Sequence, residues 1–148
     1  MRIVVGMCCL FLAGWPGGAT AGRQHREAWY QGWWCAERGG ETEVVLEDGT
    51  RVDCVTATHA VEFEFADKWA EAIGQSLHYA RRTGRRAGVV LILEDAAERR
   101  YWQRLTGNIT YFGLPIDVWQ VGTGWDILLG VPSVPGQVPA LADRVDPG

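Results

Sequence analysis

The sequence HAVEFEFADKWAEAIGQSLHYARRTG, residues 59–84, contains the two periods on which the fold depends. Residues 61–65 alternate between apolar and acidic, and side chains along a strand point to opposite faces in turn. The apolar face carries Val61, Phe63 and Phe65, and the acidic face carries Glu62 and Glu64. The stretch therefore predicts a strand over 59–65, whose acidic face is either solvated or a pair of carboxylates that act together.

The rest of the stretch follows the period of a helix, which we predict over 67–83 with its end at Gly84. At about 100° per residue the helix has two stripes. The apolar stripe consists of Trp69, Ile73, Leu77 and Ala80, and the polar stripe consists of Lys68, Glu71, Gln75 and Tyr79. Lys68 is the only lysine in a chain that otherwise uses arginine, which favours a role for its compact ammonium group; the alternative is a surface lysine in the first turn.

Further elements lie on both sides of this strand and helix. We predict a helix over 24–37, hairpin strands over 41–46 and 51–56, a buried strand over 88–93, a helix over 96–105 and a strand over 116–121. The core order is therefore α-β-β-β-α-β, which indicates the α/β class.

The N-terminus has the pattern of a secretory signal peptide over residues 1–21. A basic Arg2 precedes a short apolar run, a Gly/Pro break follows, and Ala19-Thr20-Ala21 provides a cleavage site. The run is too short to span a bilayer, so we predict an exported protein, periplasmic or secreted, with no membrane anchor after cleavage. Two alternatives to a signal peptide remain: the segment is a buried first strand, or the protein is cytoplasmic and its N-terminal segment only resembles a signal.

We therefore expect one domain over 22–130 and a proline-rich, disordered tail over 131–148. The chain has 148 residues, 47% of them hydrophobic and 22% charged, which is the composition of a single globular domain. Of its four cysteines, Cys35 and Cys54 remain after signal removal, and an even pair in an exported protein predicts a disulfide. The alternative is two buried free thiols.

The formal net charge of −4 excludes a general basic coat for nucleic acid. Arginines nevertheless cluster at two places, which permits a local patch that faces phosphate; alternatively they complement the dipoles of helix ends. The clusters are Arg81, Arg82, Arg85 and Arg86, and Arg99, Arg100 and Arg104.

The candidate functional residues are carboxylates on two strands. Asp53 stands between apolar residues of the second hairpin strand, and if that strand neighbours 59–65, then Asp53, Glu62 and Glu64 converge. Like charges that are partly buried together need a proton or a cation. Oxygen ligands favour Mg²⁺ or Mn²⁺, so the pattern predicts a divalent metal site.

In element order and motif, residues 24–94 resemble the PD-(D/E)XK, or restriction-endonuclease-like, nuclease superfamily. The hairpin bears Asp53, the next strand bears Glu62-Phe63-Glu64, and Gln75-Ser-Leu-His-Tyr79 looks like the Q-x-x-x-Y element of RecB-type members. The resemblance implies a mixed sheet flanked by helices, with Asp53 and Glu62 as ligands of a catalytic Mg²⁺ (or Mn²⁺) that activates water for phosphodiester hydrolysis.

The resemblance also implies roles for other residues. Glu27 or Glu37 would match an additional acidic residue, and Gln75 and Tyr79 would position a nucleotide or brace the site. The family's lysine would stand two residues after Glu62, where this chain has Glu64. Either Glu64 itself takes this place, as in the acidic variant that some restriction enzymes resemble, or Lys68 on the next helix replaces the lysine; one of the two would orient the nucleophile. Arginines would hold the nucleic-acid backbone, and they are Arg81, Arg82 and Arg85.

Two functions follow. The first is a metal-dependent nuclease acting on DNA, with RNA as the other substrate class. The second is a catalytically inactive, exported module of the same fold that binds a protein or nucleic-acid partner through Trp29, Trp33 and Trp34. The sequence has no nucleophile-elbow, P-loop or dinucleotide-binding pattern that would favour another enzyme class.

Overall fold

The computed structural model describes residues 22–122, which form an α/β domain built on one five-stranded mixed sheet. The elements in chain order are α1 (Glu27–Glu37), β1 (Glu41–Val45), β2 (Arg51–Val55), β3 (His59–Phe65), α2 (Trp69–Thr83), β4 (Arg86–Ile92), α3 (Arg99–Phe112) and β5 (Ile116–Val121). The predicted order and the mixed sheet with flanking helices are confirmed. The predicted signal peptide, the predicted tail and residues 123–130 lie outside the described residues.

The strands are arranged in the sheet in the same order as in the chain. β1, β2 and β3 pair antiparallel, whereas β3, β4 and β5 pair parallel, with α2 and α3 as the crossovers. β3 and β4 are central and are buried almost along their whole length, which explains why residues 88–93 are continuously apolar. None of the helices within 22–122 has the length and apolar character that would let it cross a membrane.

Each face of the sheet has its own apolar layer. α1 covers one face, where Tyr30 and Trp34 pack with Phe63 and other residues of β3 and β4. α2 and α3 cover the other face, and the predicted apolar stripe of α2 packs there against Leu91 and Leu105. Glu62 and Glu64 point to this second face, so the polar stripe of α2 is brought next to them.

One helix boundary was predicted wrongly. The sequence predicts an end near Leu105 for the helix after β4, but α3 continues through Thr106-Gly107-Asn108, which have low helix propensity, to Phe112 and ends at Gly113 in the left-handed conformation. Ile109 packs on the same core as Leu105, so burial outweighs local propensity. The other predicted elements differ from the observed ones by a few residues at their ends; α2, for example, is preceded by a 3-10 turn over Ala66–Lys68.

A disulfide between Cys35 and Cys54 joins the last turn of α1 to β2. Both cysteines are fully buried. Gly40 packs directly against them: a Cβ at this position would lie 2.6 Å from Cys35 Sγ and 2.9 Å from Cys54 Sγ. The glycine after the helix therefore makes room for the sulfur atoms.

The β1–β2 hairpin separates from the sheet at Asp53. β2 pairs with β3 only at Cys54–Val61 and Val55–Ala60. Beyond these pairs the hairpin packs on α2, where Leu46 and Val52 contact the cluster that contains Tyr79. The hairpin turn is fixed to the same helix by Asp48 Oδ2, which lies 3.0 Å from His78 Nε2 and 3.2 Å from Arg82 Nε. A fork thus opens between β2 and β3.

We expect Gly40→Ala to lower the free energy of unfolding by about 1–3 kcal/mol, because its methyl group would overlap both sulfur atoms. Urea denaturation of the oxidised protein measures this change. Gly32→Ala is the matched control: Gly32 lies within α1, and no atom from elsewhere in the described chain lies within 4 Å of the position that a methyl group would occupy. This substitution should stabilise the protein by up to about 1 kcal/mol. Equal stability of Gly40→Ala and the unsubstituted protein would contradict the close packing at the disulfide.

Candidate active site

Two carboxyl groups, Asp53 and Glu62, meet at the fork between β2 and β3. Asp53 Oδ2 accepts a hydrogen bond from the backbone N–H of Phe63 at 2.7 Å, in the place of a strand-to-strand bond. The two carboxyl side chains are hydrogen-bonded to each other through a shared proton. Glu62 is only 5% exposed. The structure thus brings into contact two of the three carboxylates for which the sequence predicts convergence.

Burial raises the pKa of both carboxyl groups above their usual values, more strongly at Glu62. At Glu62 the negative charges of Asp53 and Glu64 raise the pKa further. At Asp53 the hydrogen bonds from Phe63 and Glu62 oppose the effect of burial. The pair consequently holds one proton at a pH at which isolated carboxyl groups are ionised. A cation in the place of that proton would offset the same negative charge.

Gln75 and Tyr79 of α2 lie against this pair. With its nitrogen toward the strand, the Gln75 amide donates to Oε1 of Glu62 and, at 3.3 Å, to Oε2. Tyr79 is buried, and burial followed by the charges of Glu62 and Asp53 raises its pKa to about 12. Gln75 therefore braces a metal-binding candidate, and Tyr79 remains a neutral phenol beside it.

Glu64 and Lys68 form the outer part of the site. Lys68 Nζ lies 3.7 Å from Glu64 Oε1 and 3.9 Å from Glu71 Oε2. Glu64 is also only 5% exposed, because α2 covers its face of the strand, so the expectation of a solvated acidic face is wrong for both glutamates. Glu64 Oε2 is buried and has no hydrogen-bond partner among the described residues. An unpaired buried carboxylate oxygen is a strong acceptor for a water molecule or a cation.

The two further acidic candidates on α1 have different positions. Glu27, in the first turn, is half-buried, and burial followed by the charge of Asp53 raises its pKa. Glu37 lies ten residues later, at the opposite end of the helix, where it is exposed and pairs with Arg38 at 3.8 Å. The structure therefore brings Glu27 to the acidic site and leaves Glu37 away from it.

Glu43 of β1 is a neighbour that the sequence did not single out. Its negative charge raises the pKa of Asp53, and its carboxylate pairs with Arg51 at 2.9 Å. It is the one non-glycine residue of the described chain with a positive φ, 59°. Such strain is frequent at functional sites, but the alternating sequence of β1 contains no signal for it.

The predicted arginines lie toward the far end of α2. Arg81 and Arg82 are in its last turn and Arg85 follows it, and all three are exposed. Arg82 is engaged by Asp48 and Glu47 of the hairpin turn, which gives it a structural role in fixing the fork.

A shallow apolar groove runs along the outer side of α1. It is lined by Ala28, Trp29, Gly32, Trp33 and Glu37. Trp29 is 52% exposed, and the indole N–H of Trp33 is buried without a partner in the described part of the chain. Trp34, the third predicted interface residue, is instead buried in the core.

No protein-family model matches the chain, and no curated protein or solved structure matches it either. Within residues 22–122, no three acidic, histidine or cysteine side chains are arranged to hold a metal ion by themselves. Mg²⁺, however, is commonly bound by one or two carboxylates together with water and substrate phosphates. The Asp53–Glu62 pair, with the unpartnered oxygen of Glu64 beside it, fits this mode of binding.

The raised pKa values predict that the protein loses stability as the pH rises. Unfolded Asp and Glu titrate at about 3.9 and about 4.3, whereas the native pair keeps its proton to higher pH. The native state therefore binds more protons than the unfolded state, and the free energy of unfolding falls with pH in this window. We expect Glu62→Gln to reduce the fall in the free energy of unfolding between about pH 5 and about pH 8 by about 1–3 kcal/mol.

Urea denaturation across this pH range measures the effect. Glu71→Gln is the control, because this carboxylate is exposed and lies on the neighbouring helix, away from the pair. If the loss of stability is the same with glutamine at position 62, the buried pair is not its source.

Proposed function

We propose that this protein is a metal-dependent nuclease of the restriction-endonuclease-like fold, which hydrolyses phosphodiester bonds of DNA. The observation that carries the proposal is the buried Asp53–Glu62 pair at the fork of the sheet. Burying two carboxyl groups side by side opposes folding, and such pairs are typical of functional sites. The element order and the Q-x-x-x-Y spacing of the family resemblance support the same function.

Asp53 and Glu62 would hold Mg²⁺ or Mn²⁺, which supplies Lewis-acid activation of water and offsets the charge of the scissile phosphate. Phe63 orients Asp53 through its backbone N–H, and Gln75 orients Glu62 through its amide. The shared proton must leave before both carboxylates can act as ligands, so cation binding strengthens as the pH rises.

Glu64 and Lys68 would act on the attacking water and on the phosphate. The unpartnered Oε2 of Glu64 accepts a hydrogen bond from the water and orients it toward phosphorus. The ammonium group of Lys68, close to the other oxygen of Glu64, stabilises the negative charge that develops on the phosphate. Lys68 thus performs from the start of α2 the role for which the family resemblance expects a strand lysine.

The exposed Arg81 and Arg85 would contact the nucleic-acid backbone, with Arg82 holding the hairpin beside them. The chain has a net negative charge, so this contact must be local and sensitive to salt. The Cys35–Cys54 disulfide supports the proposed export, because disulfides persist in oxidising compartments.

A second candidate function is a catalytically inactive, exported module of the same fold. The groove on α1 favours it, because Trp29 is half-exposed and Trp33 lines the groove beside it. A binding surface of aromatic residues is typical of protein interfaces. This function requires neither a metal ion nor the loss of the proton that Asp53 and Glu62 share.

We expect the chain from Gly22 onward to cleave DNA in the presence of Mg²⁺ or Mn²⁺ and not in EDTA. Asp53→Asn and Glu62→Gln should each lower the rate by about 10²–10³-fold or more, and Gln75→Ala by about 10–100-fold, because it orients a ligand. Circular and linear DNA, with RNA in parallel, identify the substrate and the mode of cleavage.

Glu37→Gln is the matched control, because Glu37 is an acidic residue of the same domain that lies away from the site and should leave the rate unchanged. Absence of cleavage, together with absence of any metal-dependent rise in melting temperature, would reject the nuclease and favour the binding module.

A further inference from the structure

The Cys35–Cys54 disulfide lies immediately behind the acidic pair. Cys54 follows Asp53 along β2, on the face of the sheet that α1 covers, and Cys35 belongs to the last turn of α1. The crosslink therefore connects the strand that carries Asp53 with the helix whose first turn carries Glu27. Two elements of the site are covalently joined through it.

Few other contacts fix Asp53 against β3. The last strand pair before the fork is Cys54–Val61. Beyond it, Asp53 is held to β3 through its side chain, by the bond from the Phe63 N–H and by the bond with the Glu62 carboxyl group. The position of Asp53 thus depends on its neighbour Cys54 more than on a continuous ladder. A shift of Cys54 would move the carboxylate away from Glu62.

The space around the two sulfur atoms fits a disulfide and does not fit two free thiols. Both cysteines are fully buried, and the backbone of Gly40 closes over them, with its N–H donating to the carbonyl of Cys35 at 2.9 Å. Two unbonded thiols must stand at nonbonded contact distance, well beyond a covalent bond. Because no space remains at Gly40, two thiols would displace either the end of α1 or β2.

We propose that the Cys35–Cys54 pair is a redox switch that assembles the acidic site when it is oxidised and disorganises it when it is reduced. Oxidation removes two electrons and two protons from the thiols and transfers them to a disulfide oxidant, which becomes a dithiol. The catalytic consequence rests on the proposed nuclease function. A nuclease controlled in this way is inactive in a reducing compartment, where it would damage the nucleic acid of its own cell, and becomes active in an oxidising one.

The face of the sheet under α2 and α3 has a core of its own that contains neither cysteine. β3, β4, β5, α2 and α3 contain neither cysteine, and they form a continuous packed core with one face covered by α2 and α3. Reduction should therefore act on the fork and on α1 while the parallel part of the sheet stays folded. This separation distinguishes a switch from a general stabilising crosslink.

The test compares the two redox forms of the full chain. The protein is produced with its thiols reduced, and one half is oxidised with oxidised glutathione. Amide hydrogen exchange then compares Phe63, whose N–H is held by Asp53, with Leu91 at the centre of β4. We expect about tenfold faster exchange at Phe63 in the reduced form, no change at Leu91, and metal-dependent cleavage at least about tenfold slower.

A Cys35→Ala/Cys54→Ala variant provides the second measurement, because it lacks the crosslink without any reductant. Oxidised glutathione should not alter its exchange at Phe63 or at Leu91. Equal exchange of Phe63 in both redox forms overturns the switch, whether or not the chain cleaves DNA. Equally accelerated exchange at Leu91 also overturns it, because the disulfide would then stabilise the whole domain. Selective acceleration at Phe63 without cleavage by either form supports the switch and rejects the nuclease.

Discussion

The burial of the Asp53 and Glu62 carboxyl groups side by side is the constraint on which the rest of this structure depends. Two negative charges cannot be withdrawn from water together without compensation, and several kcal/mol are at stake. The protein compensates with a shared proton, the backbone N–H of Phe63 and the amide of Gln75. These compensating groups come from different elements, so the helices and strands around the pair must be held in fixed positions.

The departure of the β1–β2 hairpin from the sheet creates the space for this pair. A continuous ladder between β2 and β3 would satisfy the N–H of Phe63 with a backbone carbonyl and leave the Asp53 carboxylate without its donor. The hairpin turn is instead held on α2 by Asp48, whose own hydrogen bond with Thr50 and contacts with His78 and Arg82 keep its pKa low, at about 2. The fork is thus stabilised at both ends, by this ion cluster and by the disulfide.

The features that the sequence predicts are those set by local periods. The alternation at Phe63 and its neighbours, the two stripes of α2 and the glycines that end helices specify the elements and bring Asp53 and Glu62 together. The fork, the strained Glu43 and the clamp at Asp48 depend on contacts between distant parts of the chain, which no local period encodes. The same limitation explains the misplaced end of α3, where packing of Ile109 on the core overrides three residues of low helix propensity.

Because the strands are arranged in the sheet in chain order, each strand pairs with the one made just before it. Asp53 and Glu62 therefore lie on strands that are neighbours both in the chain and in the sheet. The helix that carries Gln75 is synthesised afterwards, and only its docking excludes solvent from the pair. Docking of α2 therefore withdraws the pair from water and supplies the amide of Gln75 in the same step.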